Sequence, residues 1–168
     1  MLRYPVNLER GPGPLLVFLP EADPDALSAA AVALTNTDGG AIVVGLDASG
    51  NYAGPVAVDD LRRALEQAGA CCNPAVTFAA HQPLMTPQGP VRVVYVSRGE
   101  RVHALDDGRV LVRTGFGNRL LNGDEIRRLL TGLLNPPGDP PRPCHAPGPG
   151  TGPGPDGPGP DSDRPARC

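Results

Sequence analysis

The pattern of apolar and polar positions predicts strands alternating with helices between residues 15 and 134. Two short apolar runs rich in branched side chains, at 15–19 and 41–46, are typical of buried strands. Alternating stretches bounded by Gly, Pro and Asp predict further strands at 75–80, 91–97 and 109–113, and a short one at 102–105. The hydrophobic pattern therefore predicts at least five strands in this part of the chain.

Three stretches of strong helix formers begin at residues that favour helix starts. Asp23 can cap a first helix that has Pro24 at its first position and continues over 26–34. Asp59 or Asp60 starts a second helix over 61–68, which Gly69 closes. Asn122 and Glu125 resemble a capping box that opens a last helix, reaching about residue 134.

Helices interspersed among hairpin-linked strands favour an α+β fold over a doubly wound parallel sheet. We expect a single domain over residues 1–135, with a mixed, mostly antiparallel sheet and about three helices. Residues 136–168 contain 12 Pro and 7 Gly among 33 residues and almost no large apolar side chains. Such a segment cannot bury enough surface to offset its ordering entropy, so the sequence predicts a disordered tail.

Charge and composition narrow the possible functions. The net charge is −3 and all 15 basic residues are arginine. An acidic total counts against a non-specific nucleic-acid binder unless the arginines cluster in space. The sequence has no Walker A motif and no Cys/His spacing typical of a zinc site, so we predict no cofactor, no metal and no catalytic residue. It also has no apolar run long enough for a bilayer, and we expect a cytoplasmic protein that does not contact membranes.

Residues 36–54, NTDGGAIVVGLDASGNYAG, place two glycine-containing turns around one apolar strand. Gly39 and Gly40 can adopt positive φ and let another group approach the backbone closely. Asp47 and Gly50 bound a second turn of hairpin type. Both turns could serve only to connect elements, as such turns commonly do.

This stretch resembles the Schlafen AlbA-2 (AlbA_2) domain family, whose hallmark is an Asn-Thr-x-Gly-Gly turn, an apolar strand, and Gly-aliphatic-Asp followed by two spaced glycines. The matching positions are Asn36, Thr37, Gly39, Gly40, Gly45, Asp47, Gly50 and Gly54. Residues 109–115, RVLVRTG, with Asn118 and Arg119 after them, resemble the late strand of the family. The resemblance covers about residues 14–134 and implies a nucleic-acid-binding domain.

The chain departs from the family at the positions that Schlafen nucleases use for catalysis. The resemblance implies two glutamates near the first strand and an aspartate after the Gly-aliphatic-Asp turn, which together hold a divalent metal. Here Val17 and Leu19 replace the acid and the lysine around Phe18, the first acid would fall near Pro12, and Ala48 follows Asp47. A lone Asp47 supplies too few oxygen ligands for magnesium, so we predict that the domain is not an enzyme.

A binding site is predicted from the arginines and the loop amides. Arg113, Gly115, Asn118 and Arg119 could converge on a phosphate, because guanidinium groups and loop N–H groups both favour anions. Arg92, Arg98 and Arg101 would extend this surface if their side chains share a face, and Phe116 is the best candidate for stacking on a base. In the alternative interpretation Arg113 pairs internally with Asp47 or another acid.

Three functions follow as hypotheses. The first is a non-catalytic domain that binds DNA or RNA, such as a small transcriptional regulator. The second is a protein-interaction or homo-oligomerisation module in which the same sheet surface meets a partner. The third is a residual metal-dependent RNA nuclease centred on Asp47.

Overall fold

A computed structural model describes residues 6–79, 81–115 and 117–134, apart from the side chains of residues 133 and 134. These residues form eight strands and three α-helices, with a short 3₁₀ helix at Leu8–Arg10 before them. In chain order the elements are β1 (Leu16–Leu19), α1 (Pro24–Thr35), β2 (Gly40–Val44), α2 (Val58–Ala70), β3 (Cys72–Asn73), β4 (Gln82–Thr86), β5 (Gly89–Val96), β6 (Ala104–Leu105), β7 (Leu111–Thr114), β8 (Gly117–Leu120) and α3 (Gly123–Leu134).

The main sheet has four strands in the order β1-β2-β5-β4. Strands β1 and β2 are parallel and are joined through α1, whereas β5 runs antiparallel to both β2 and β4. Two two-stranded ladders, β3 with β6 and β7 with β8, lie outside this sheet. The predicted α+β class, the mostly antiparallel mixed sheet and the three helices are confirmed.

Both faces of the main sheet are covered, which explains the unbroken apolar run of β2. Ile42 and Val44 face a core built with α1 and α2, while Ala41 and Val43 face a second core that includes Phe18. Helix α1 is buried along most of its length because α2 and β7 pack against it in addition to the sheet. This packing fixes the positions of the ends of β2, where the polar turns of residues 36–40 and 47–50 lie.

The helix starts agree with the sequence in two of three cases. The Asp23 carboxylate accepts from the Ala26 amide at 2.8 Å, and the Asn122 and Glu125 side chains each accept from the other's backbone N–H at 3.0 Å. The predicted start of α2 at Asp59 or Asp60 is wrong, because the helix begins after Ala57 without a side-chain cap.

The predicted role of Gly69 as a helix stop is also wrong, because Gly69 lies inside α2. A Cβ at this position would lie 2.7 Å from the backbone oxygen of Val76. The close approach of the Val76 backbone explains why this position is glycine, because the Cβ of any other residue would clash with it.

The strand predictions hold for 15–19, 41–46, 91–97, 102–105 and 109–113, with shifted ends, and the one at 75–80 is wrong over its described residues. Residues 75–79 form no strand, although Val76 is buried and Phe78 packs against the helical core. Their apolar alternation serves packing without a hydrogen-bonded ladder, and Ala80 lies outside the described residues. Strand β4 was not predicted, and residues 117–120, read from the sequence as part of a loop, form strand β8.

Strand β4 is an outer edge of the main sheet and contains no charged residue. Its pairing with β5 places Pro83 opposite Arg92 and Met85 opposite Pro90. Along an antiparallel pair, positions that exchange hydrogen bonds alternate with positions that do not. Pro83 and Pro90 have no N–H, so their two positions are of the second kind. The backbone groups of Pro83 and Met85 therefore point away from β5.

No helix within the described ranges is both long and apolar enough to cross a membrane. The predicted disorder of residues 136–168 and the domain boundary at 135 fall outside the described residues, so both remain predictions.

Candidate nucleic-acid interface

The Asn36–Gly40 turn joins the end of α1 to the start of β2 and holds three other segments in place. Asn36 is only 7% exposed. Its side-chain amide donates to the backbone oxygens of His103 (2.7 Å) and Leu111 (2.9 Å) and accepts from the His103 N–H (2.8 Å). This one side chain therefore connects α1 to the segment before β6 and to β7.

Thr37 makes a second link between the end of α1 and β7. Its hydroxyl donates to the Ala33 oxygen at 2.7 Å and accepts from the backbone N–H of Arg113 at 2.9 Å. The two family motifs, separated by some 70 residues in sequence, thus meet directly at the end of α1. Thr37 has a structural role in docking the β7–β8 hairpin onto this turn.

Gly39 and Gly40 let neighbouring backbone pass very close to the turn. Gly39 has φ +74°, and a Cβ there would lie 2.7 Å from both the Arg98 nitrogen and the Val96 oxygen. Gly40 has φ +151°, and its Cβ would overlap the carbonyl group of Leu15. Gly45, at the other end of β2, donates its N–H to Leu19 at 2.8 Å and leads into the next turn.

Arg113 is held in place by neutral acceptors. Its guanidinium donates to the backbone oxygens of Gly13 (2.9 Å) and Leu16 (3.1 Å) and to the side-chain oxygen of Asn118 (3.0 Å). Burial lowers the pKa of Arg113 from its usual very high value, and the group stays charged at neutral pH. The pairing of Arg113 with Asp47 or another acid, considered from the sequence, is wrong, because the acceptors that hold its guanidinium are carbonyl and amide oxygens.

The segment after Arg113 is a β-hairpin rather than the predicted phosphate-binding loop. Arg113 lies opposite Asn118, and Thr114 lies opposite Gly117. Gly115 is exposed in the turn, and Phe116 lies outside the described residues. Arg119 is opposite Val112 and forms an ion pair with Glu125 at 2.7 Å, which ties β8 to the start of α3.

The remaining predicted arginines divide between the two ends of the sheet. Arg92 lies opposite Val44 on β2, at the end of the sheet remote from Arg113. Arg98 and Arg101 are exposed and follow β5 near the end of α1, where the Gly99 N–H donates to Thr35 at 2.8 Å. The structure therefore brings Arg98, Arg101 and Arg113 around one turn and leaves Arg92 apart from them.

A groove of about 1170 Å³ runs along this turn and the chain that precedes β1. Arg10, Tyr95 and Arg98 line it, together with Asp38 and Gly115. Gly13 and Leu16, which line it as well, are the residues whose carbonyl oxygens hold Arg113. Arg98 is loosely paired with Asp38 at 3.5 Å, and both side chains are mostly exposed.

Arg10 and Tyr95 were not among the residues predicted from the sequence. Arg10 lies in the 3₁₀ helix, where no motif marks it. Tyr95 alternates with buried valines in β5, and this alternation was the available signal that it faces away from α1 and α2.

The opposite end of β1 and β2 has a different character. A smaller cavity there, of about 320 Å³, is lined by Glu21, Asp60 and the backbone around Gly54. Carboxylates repel phosphate, so of these two cavities the groove, which Arg10 and Arg98 line, is the better electrostatic match to an anion.

Asp47 uses its carboxylate to build its own turn. One oxygen accepts from the Ser49 and Asn51 N–H groups at 2.9 Å, and the other accepts from the Asn51 side chain at 3.0 Å. These hydrogen bonds, that of the Asn51 side chain first, lower the pKa of Asp47 below its ordinary value. The hairpin-type turn predicted here is thereby explained.

We expect a titration of the Asp47 carboxyl by NMR to give a midpoint below the ordinary value of about 3.9. Because the folded pKa is depressed, the stabilising effect of ionised Asp47 is complete above that ordinary value and is lost as the pH falls through the folded pKa. Asn51→Ala should raise the midpoint towards the ordinary value, whereas Asn7→Ala, which removes a cap elsewhere, should leave it unchanged. An ordinary midpoint in the unaltered protein would contradict the assignment.

None of the positions where the family resemblance implies metal-binding acids holds an acid. Val17 is buried in the core, whereas Pro12 and Ala48 are exposed. Leu19, at the position of the family's lysine, packs against the same core as Val17. Among the described residues, His, Cys, Asp and Glu side chains form no group of three that could hold a metal ion.

Comparison with known proteins agrees with this fold. The family model described as Schlafen, AlbA_2 matches residues 18–122. No curated protein sequence matches the chain. Among solved structures, the chain is similar to the DIP2311 protein from Corynebacterium diphtheriae, with a TM-score of 0.52, 20% identity and 69% of this chain covered.

That likeness shows the fold alone, and this chain spans only 23% of the length of the DIP2311 protein. The family match, in contrast, includes both glycine turns of residues 36–54 and the β7–β8 hairpin that docks on the first of them. The chain belongs to the Schlafen AlbA_2 family.

Proposed function

We propose that this domain binds nucleic acid without cleaving it, with the sugar-phosphate backbone lying along the groove beside Arg10, Arg98 and Arg113. The observation that carries the proposal is the state of Arg113. Its guanidinium is fixed by three neutral oxygens, so no carboxylate cancels its charge in these contacts. A fixed cation loses little side-chain entropy when it meets a phosphate.

Arg10 and Arg98 add mobile charge at the same groove. A surface ion pair such as Arg98 with Asp38, at 3.5 Å, contributes little to stability. A phosphate can therefore replace Asp38 as the partner of Arg98 at small cost. Tyr95 in the groove wall offers one aromatic ring against which a base or ribose can pack.

The absence of cleavage in this proposal rests on Asp47 and the first strand. The Asp47 oxygens are engaged by Ser49 and Asn51, and Val17 occupies a core position rather than presenting an acid. A metal-dependent nuclease would need several oxygen ligands around one cation. RNA cleavage that depends on Mg²⁺ and disappears in Asp47→Ala would overturn this part of the proposal.

Removing the two exposed groove arginines tests the site. We expect Arg10→Ala with Arg98→Ala to weaken binding about tenfold and to reduce the slope of log affinity against log salt by between about 1.4 and 1.8, because each phosphate contact contributes about 0.7 to 0.9. The measurement is fluorescence anisotropy with labelled duplex DNA, single-stranded DNA and hairpin RNA at several salt concentrations.

Arg62→Ala with Arg63→Ala is the matched control, since it removes the same charge from the exposed start of α2. Affinity of this control within twofold of the unaltered protein is expected. Equal loss in both double variants would mean that only net charge matters and would reject the groove as the site. Binding of none of the three nucleic acids at low salt would reject the proposed function.

Interaction with a protein is the second candidate function. It is favoured by one observation outside the groove, which is the exposure of two large apolar side chains, Leu120 before α3 and Leu130 within it.

A further inference from the structure

Three side chains in a row across the main sheet line the groove beside Arg10 and Arg98. The strand register pairs Leu16 of β1 with Ala41 of β2, and Ala41 with Tyr95 of β5, so the three lie side by side on one face. This is the face of the second core, which includes Ala41 and against which Leu16 and Tyr95 pack. The neighbour of Tyr95 in β2 is therefore a single methyl group, and an apolar surface with one aromatic ring borders the groove.

The chain that precedes β1 adds further apolar side chains to the groove. Pro12, Pro14 and Leu15 line it, and all three are exposed. Leu15 is 42% exposed, which is unusual for a large apolar residue in this domain. A phosphate gains nothing from contact with such side chains, because a charged group loses hydration there. The groove thus matches a ligand that has apolar faces as well as negative charge.

This combination distinguishes between the two strand states of a nucleic acid. In a duplex the bases are stacked and paired, and a protein reaches their edges by inserting a helix or a two-stranded ribbon into the major groove. The site described here is a groove, so a duplex would present only its backbone to it. A single strand exposes the faces of its bases, and proteins that bind single strands combine a positively charged groove with aromatic rings on which bases stack.

Given the proposed function of the groove, on which this inference rests, we propose that its ligand is a single-stranded nucleic acid. A base packs against Tyr95 and the exposed Leu15, while Arg10 and Arg98 hold the phosphates on either side of that base. DNA and RNA share these features, and the experiment below compares them.

Fluorescence anisotropy of the full chain at one salt concentration tests the strand state. The probes are single-stranded DNA and RNA of about 12 nucleotides, and the duplex of each with the same sequence. We expect at least one of the single strands to bind about tenfold or more tightly than its own duplex, since stacking of one base changes affinity by about 5- to 150-fold. A single strand whose sugars carry no bases keeps the phosphates and should lose a similar factor.

Two tyrosines of the same core provide a matched pair of variants. Tyr95→Leu keeps an apolar side chain but removes the ring, so it should weaken binding of the single strand about fivefold or more and leave the duplex within about twofold. Tyr95→Phe keeps the ring and should restore the affinity. Tyr52→Leu is the control, because Tyr52 packs against the same core but lies beside Gly89, at the other end of β5 from Tyr95.

Circular dichroism shows whether each variant keeps the fold, and the strand without bases tests the proposal on the unaltered protein if Tyr95→Leu does not. Duplexes that bind as tightly as their single strands overturn this inference and leave the proposed function intact. Equal affinity for the strand without bases also overturns it, as do equal losses in folded Tyr95→Leu and Tyr52→Leu. Binding of no nucleic acid rejects the proposed function as well, and an acidic peptide with apolar side chains would then be the occupant to test.

Discussion

Replacement of Gly40 by alanine is expected to destabilise the domain by about 3 to 5 kcal/mol, a large part of the stability of an ordinary domain. Gly40 has φ +151°, where an L side chain is strained, and its Cβ would lie 2.8 Å from the carbonyl carbon of Leu15 and closer still to the oxygen. The Leu15 carbonyl cannot move away freely, since it accepts from the Ala41 N–H at 2.9 Å in the pairing of β1 with β2.

Chemical denaturation of the variant measures this effect, and Gly54→Ala is the matched control. Gly54 also has a positive φ, of +133°, but no atom lies within 4 Å of the position that a Cβ would take. The control should therefore cost only about 1 to 2 kcal/mol of backbone strain. Similar losses in both variants would show that the approach of Leu15 adjusts easily, contrary to the packing described here.

Asn36→Ala is expected to cost about 3 to 4 kcal/mol. The substitution removes three hydrogen bonds and leaves the His103 N–H, the His103 oxygen and the Leu111 oxygen without their partner. Unpaired backbone groups in a buried position cost more than the net gain of an ordinary hydrogen bond. Denaturation curves followed by circular dichroism give the measurement.

Two further variants distinguish hydrogen bonding from loss of volume. Asn36→Asp keeps the size and the acceptor for His103 but turns a carboxylate towards two carbonyl oxygens, so it should be at least as destabilising as alanine. Asn51→Ala removes an exposed asparagine and should cost less than about 1 kcal/mol. A stable Asn36→Asp protein would contradict the assigned orientation of the amide.

Local signals account for the parts of the fold that could be predicted from sequence. Asp23 and the Asn122–Glu125 pair act within their own helix turn, so the residues that make the contact are neighbours in the chain. The strands of the main sheet, β2 and β5 in particular, carry long apolar runs because both faces are covered. The exception among the helices, α2, begins without a side-chain cap and so leaves no local signal.

Contacts between distant parts of the chain account for the rest. Strand β4, which contains Gln82 and Pro83, forms because it pairs with β5. Its own residues do not predict that pairing. Arg113 was predicted to bind a phosphate or to pair with an acid, but its partners Gly13 and Leu16 lie some 100 residues earlier and contribute only backbone atoms. Any residue can supply a backbone oxygen, so a search of the sequence for an acidic partner could not identify these two.

Each outer edge of the main sheet has backbone groups that a further strand could not use. At β1, the Leu16 carbonyl oxygen is engaged by Arg113. At β4, Pro83 and Pro87 flank Met85, so the amide of Met85 is the one backbone donor that this edge presents between them. A strand from another molecule would therefore find few donors to pair with along β4, although β4 has no charged side chain to repel it. Growth of a fibril by addition of strands at this edge is thus disfavoured.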